Sequence, residues 1–273
     1  MLESLQFDFM QHALLSGILV SIACGIVGTL VVVNRIVFIS GGIAHAAYGG
    51  IGLAFYLGLS PSLGAALFSV ASSMIMGIAS LKNKQRADTI IGVIWAIGMA
   101  IGIILIDLTP GYNVDLMSYL FGSILSVPVS DIWFMFLLDI FILVVVWFFY
   151  KEFLAMSYDE EFAFIVGIPV TILYFILLGM IALSVVMIIR VVGLIMVIAL
   201  LTIPPFIAEK YTISLAKMMI FSSLLGVLFT IIGLWLSYVY NLTSGATIIM
   251  VAGIAFFISI GFDFFKDHLR KNI

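Results

Sequence analysis

The sequence predicts an all-α integral membrane protein, a polytopic helical bundle of about nine transmembrane spans (eight or ten if one is weak or re-entrant) forming one unit over residues 1–273. Three observations carry that expectation. Hydrophobic residues make up 64% of the chain and charged residues only 9%, against about 25% charged in an ordinary soluble domain. The mean hydropathy is +1.35. The apolar residues are also gathered into runs, near 13–33, 42–58, 62–81, 89–106, 132–150, 169–189, 191–208, 213–236 and 246–265. Each is close to the roughly 20 residues that cross a bilayer.

The charges sort by side. With nine crossings, Arg35, Lys82, Lys84, Arg86, Lys151, Lys210, Lys217, Lys266, Arg270 and Lys271 fall on one side. The positive-inside rule makes that side cytoplasmic, so the N-terminus is expected outside and the C-terminus in the cytoplasm of a prokaryotic inner membrane. The other side carries Glu3, Asp8, Asp107, Asp115 and Asp131, with Arg190 as its one base. The first run lacks a basic lead and a small-residue cleavage site, so it reads as a retained span. The single Cys24 lies inside an apolar run and offers neither a disulfide nor a metal cluster.

Taken in order, the first span ends at Asn34-Arg35. The second opens with ISGGIAHAAYGGIG (Ile39 to Gly52), whose small residues let a helix or a passing solute approach the backbone. His45 sits within it. An ionisable side chain inside a span is a functional candidate, and a neutral imidazole binds borderline metals. The plainer alternative is a histidine bonded to a neighbouring helix. The third span ends in the basic turn Lys82–Arg86, and the fourth holds Gly98-x-x-x-Gly102, a spacing that suits close helix packing. The loop after it (DLTPGYNVD) sets Asp107 and Asp115 around a Pro-Gly turn, where they attract cations or are ordinary solvated acids. YLFGSILSV (Tyr119 to Val127) is too short to span. Asp139 lies two turns into the fifth span, facing a cavity or bonded to a neighbour.

Between the fifth and sixth spans comes Ser157–Gly167, SYDEEFAFIVG. Asp159, Glu160 and Glu161 cannot lie in hydrocarbon, where each would cost about 2.5–3.5 kcal/mol. They suit the start of a short helix, where they complement its dipole, and Phe162, Ile165 and Val166 share a face. Such a helix either docks a soluble partner or lies along the membrane surface. Further on, Pro204-Pro205 removes two backbone donors, which predicts a helix broken there beside a cavity.

Several chemistries are excluded. No GxxxxGK[ST] occurs and no polar stretch is long enough for a nucleotide-binding domain, so any ATP is hydrolysed by another chain. HExxH, GxSxG and CxxC are missing. Ser40 and His45 lack the strained serine turn of a hydrolase, and no regular series of intramembrane carboxylates suggests a coupled secondary carrier. The chain is not expected to be an enzyme, and nothing in it suggests nucleic acid.

Several stretches together resemble the permease subunits of zinc- and manganese-type ABC importers, the ABC-3 family. Arg35 followed by ISGGIAHA is similar to that family's Arg-then-SHA element. YLFGSILSV resembles its LFG-x-[IL]-L segment. Glu161, Ala163 and Gly167 match E-x-A-x-x-x-G of its coupling element, VVGLIMVIALLTIPP resembles its VGxLLxxALLxxP signature, and SGATIIM resembles its last-span start. The resemblance implies a homodimeric permease with two cytoplasmic ATP-binding subunits and an extracytoplasmic metal-binding protein. It implies a cytoplasmic coupling helix at Asp159–Gly167 and His45 as the pathway residue and metal ligand, with Asp107, Asp115 and Asp139 as further candidates. No tightly bound cofactor is expected, only a transported divalent metal, zinc ranked before manganese and iron third, since imidazole suits zinc. One departure bears on the ion: many members carry an acid shortly before the SHA histidine, where this chain has Gly41 and Gly42. The competing expectations are a permease for a metal chelate, a siderophore or corrinoid, and a carrier or channel independent of ATP.

Overall fold

The computed structural model describes residues 6–110, 120–194 and 197–271, with the side chains of Lys84 and of residues 265–271 left aside. Among the described residues there are eleven α-helices and no strand. They are α1 (Asp8–Val33), α2 (Val37–Leu57), α3 (Pro61–Lys82), α4 (Ala87–Asp107), α5 (Val129–Phe148), α6 (Tyr150–Tyr158), α7 (Glu160–Ile165), α8 (Val170–Val192), α9 (Val197–Glu209), α10 (Leu215–Tyr240) and α11 (Ser244–Lys271). Eight of these are long and apolar enough to cross a membrane. The ninth expected span is shorter than its sequence suggests. Its first residues, Val191 and Val192, finish α8, and Gly193 then turns the chain with φ of 81°, a conformation that only glycine adopts freely. The helix beyond that turn, α9, has 13 residues, or about 20 Å of helix against a hydrocarbon layer of about 30 Å.

Pro204 and Pro205 do not break the helix, as expected of them, but lie inside α9. The interruption falls at Gly193 instead. A proline at 205 cannot donate to the Leu201 carbonyl one turn earlier. That carbonyl is pressed against α1 at Gly28, where a Cβ would also meet Pro205 Cγ at 3.0 Å. A residue without a side chain on α1 therefore lets the proline-containing helix pack at full contact.

Side-chain links between helices define the two ends of the bundle. At one end Arg190 pairs with Asp131 at 3.4 Å and donates to the Ser62 hydroxyl, joining the end of α8 to the starts of α5 and α3. At the other, Asn34 Nδ2 donates to Ser157 Oγ at 2.9 Å, Ala216 N–H donates to the Tyr150 hydroxyl at 3.1 Å, and Lys210 pairs with Asp263 at 2.6 Å. Arg35, Lys82, Arg86, Lys151, Lys210 and Lys217 all belong to this second, basic end, as the charge distribution predicts.

Helix α1 runs through the middle of the packing, against α10, α9, α5 and α8. Against α10 it uses small and hydroxyl residues, with Ser21 to Thr230 at 3.2 Å and Thr29 to Ser222 at 3.3 Å. Lipid drives no hydrophobic association between helices, so such close contacts and shared hydroxyls do that work. Cys24 is buried on the same helix. At the acidic end, Ile124 is fully buried in the segment after residue 120, and Gly122 and Gly193 meet backbone to backbone.

Candidate functional site

His45 stands midway along α2, and the glycine-dense run around it is consumed by helix packing. A Cβ on Gly49 would lie 2.7 Å from the Gly98 carbonyl of α4 and one on Gly52 would lie 2.6 Å from the Gly102 Cα. Gly50 faces Gly64 of α3 in the same manner, 2.7 Å from its carbonyl carbon. The small residues of α2 thus admit neighbouring backbones, the helix alternative of the two that the sequence left open.

That register places α4 side chains beside His45. Gly98 packs on Ala46 and Gly102 on Tyr48, so Trp95, just under one turn before Gly98, meets the imidazole. The two rings stack with centroids 4.1 Å apart and 13° between planes, while the indole N–H points to the Met99 sulfur at 3.2 Å. The stack fixes the plane of the imidazole. Its Nδ1 is buried and has no hydrogen-bond partner. Trp95 was not a candidate from the sequence. Pairing the two glycine motifs of α2 and α4 in register is the signal that finds it.

A histidine nitrogen left without a partner suits a ligand that arrives transiently. One imidazole is nevertheless a partial site. Among the described residues no group of three or more His, Cys, Asp or Glu gathers to hold a metal.

The acidic candidates disperse. Asp107 ends α4 and is exposed, within electrostatic reach of Tyr48. Asp115 lies outside the described residues. Asp139 is only 3% exposed, and neither of its carboxyl oxygens has a hydrogen-bond partner. It lies within electrostatic reach of Cys24 on α1. Helix α5 packs on α1, α8 and α6, whereas α2 packs chiefly on α3, α4, α8 and α9. The structure therefore does not bring Asp139 to His45.

The segment expected to couple to a partner forms α7. Asp159 is its N-cap, accepting from the Phe162 N–H at 2.9 Å, and Glu160 and Glu161 fill its first turn. Ala163 is fully buried and anchors the helix, whereas Phe162, Phe164, Ile165 and Val166 are exposed, Phe164 at 72% and Ile165 at 78%. Gly167 closes it at φ of 88°. No neighbour within 4 Å constrains a side chain there, so the need for glycine is conformational. The preceding helix, α6, is tied to the end of α1 through Ser157 and Asn34.

An eight-span helical bundle with a short capped helix held out at its basic end is the architecture of a polytopic membrane protein. The chain matches the model of the ABC 3 transport family over residues 6–263 and belongs to that family. It is 54% identical to an uncharacterized membrane protein of Synechocystis sp., covering 96% of this chain and 93% of that one. It is 35% identical to the manganese transport system membrane protein MntC of Listeria monocytogenes, covering 94% and 92%. Among solved structures it resembles PsaBC from Streptococcus pneumoniae in complex with Fab, with a TM-score of 0.86, 33% identity, and coverage of 94% and 93%. It is thus a permease subunit of an ABC system and not its ATPase.

Proposed function

We propose that this chain is the permease of an ABC importer that carries a divalent transition metal into the cytoplasm, manganese first, zinc second and iron third. The observation that supports this reading is the likeness, over nearly the whole chain, to a membrane protein named for manganese transport. The sequence ranked zinc first. The order is reversed on the strength of that likeness.

Two copies pair, so that each contributes one His45 to a shared pathway. A cage of few protein ligands lets the ion leave, which permeation requires. Asp107 and Asp115 draw cations toward the acidic end, which faces outward and receives a metal-binding protein; the basic end and C-terminus face the cytoplasm. There α7, begun by Asp159, Glu160 and Glu161, anchored by the buried Ala163 and closed by Gly167, seats its exposed face on one of two ATP-binding subunits, and the whole chain acts as one transmembrane unit. Pro204 and Pro205 keep α9 close to α1.

The test is elemental mass spectrometry of cells lacking the chain, grown under metal limitation, beside a complemented strain. A selective fall in manganese is expected. A selective fall in zinc restores the first ranking, and unchanged metals overturn the reading in favour of a chelate.

A further inference from the structure

On the face formed by α1, α5 and α10, in the half of the bundle nearest the basic end, lies a groove of about 690 Å³. Its walls include Ile22 and Ile26 of α1, Trp147 of α5, and Ile220, Leu224 and Val227 of α10. Its polar groups are already engaged: Ser223 donates to the Met219 carbonyl, and the Tyr150 hydroxyl takes the Ala216 N–H. A second groove, of about 240 Å³, lies on the other side of α10 between Tyr211, Phe221 and Lys217. Ile220 and Leu224 line both, so they form a ridge between two furrows.

We propose that these paired grooves seat one diacyl anionic phospholipid of the leaflet at the basic end. One chain lies on each side of the Ile220–Leu224 ridge, and the phosphate sits at Lys217. Length supports a lipid. From Ala216 to Val227, the reach of the larger groove along α10, a helix rises about 16 Å, which is half of a hydrocarbon layer of about 30 Å. A partner helix from a second copy would need a groove running the full depth. Charge supports an anionic headgroup. Lys217 lines the smaller groove, and Lys151 is exposed one residue beyond Tyr150 at the mouth of the larger. No acid lines either groove; Glu152 and Glu209, near in sequence, are absent from both walls. The seat lies at the root of the coupling segment, since Tyr150 opens α6. The proposal stands apart from the identity of the cargo.

Native mass spectrometry of the purified full-length chain, titrated with dioleoyl phosphatidylglycerol or dioleoyl phosphatidylcholine, tests it. One phosphatidylglycerol retained per chain, in preference to phosphatidylcholine, is expected. Lys217→Gln lowers that preference roughly fivefold, the worth of one lysine near an anionic lipid, and Val227→Trp, which fills the larger groove, lowers retention of both lipids. Equal retention of the two lipids overturns the proposal, as does a Lys217→Gln variant that behaves as the parent. A dimer that Val227→Trp splits, with no lipid retained, overturns it in favour of a protein interface. Lys217 is exposed, so its variant reads out even if Val227→Trp fails to fold.

Discussion

Helix α2 holds His45 half-buried and stacked on Trp95, with Gly49, Gly50 and Gly52 beyond it pressed to the backbones of α4 and α3. Helix α7 does the reverse. It is six residues long, held by an aspartate cap and one buried alanine, and it turns its largest side chains outward. A side chain that meets a small ion must be held to a fraction of an ångström, which close packing achieves. A docking helix must leave its apolar face free for a partner, and so cannot use that face to stabilise itself. Under the proposed roles, the contrast accounts for a region rich in glycine and another rich in exposed phenylalanine.

The comparison breaks first at the α2–α4 seam. Gly52→Leu drives a side chain into Gly102, and overpacking costs about 1–3 kcal/mol even where some relaxation occurs. Here backbone meets backbone, so the expected outcome is loss of most folded protein, seen as a collapsed size-exclusion peak in detergent. An unchanged melting temperature refutes the claim that glycine is required for this contact.

At α7 the expected effect is large on assembly and small on folding. Phe164→Ala removes an exposed anchor, and interface aromatics commonly contribute 2 kcal/mol or more, about 30-fold in affinity. Co-purification with the ATP-binding subunit should drop accordingly while the permease melts as before. Glu161→Lys is expected to leave the chain inserted but to uncouple ATP hydrolysis from transport. Normal coupling in that variant removes α7 from the docking role.

His45→Ala sharpens the other side of the comparison. Metal uptake at limiting concentration should fall at least tenfold with expression preserved, and stability should fall only by the lost Trp95 stack, about 0.5–1.5 kcal/mol, since Nδ1 gives no hydrogen bond to the fold. Normal uptake would make the histidine structural. A smaller effect is expected from Asp159→Ala, where a lost N-cap costs about 1 kcal/mol and shows as faster amide exchange confined to α7. The smallest is Asp139→Asn. Since neither carboxyl oxygen has a partner, an amide of the same shape should leave stability unchanged or slightly improved and uptake untouched. A loss of uptake would return Asp139 to the pathway.

Much of the molecule is legible in its sequence, for physical reasons that differ by region. The long helices announce themselves because hydrocarbon tolerates no charge and each run must satisfy its own backbone. Asp159 can be read as a helix start because a cap is a local device that needs no tertiary partner. The location of the break near α9 cannot. Proline predicts a lost hydrogen bond, but where such a helix fits depends on what packs against the freed carbonyl, and that is Gly28, on another helix. Nor can the sequence separate Asp139 from His45, since spacing along one helix says nothing of which neighbour it meets. Trp95 is hidden for the same reason, in a register shared by two helices.

Cys24, buried on α1, is the one cysteine of the chain. Bulky thiol-directed probes will therefore pass it by in the folded protein. A cysteine placed on the exposed face of α7 becomes the single reactive handle of the molecule, without any native residue first being removed. In the dimer proposed above, such labels turn the separation of the two α7 helices into a spectroscopic distance that can be followed through the ATP cycle.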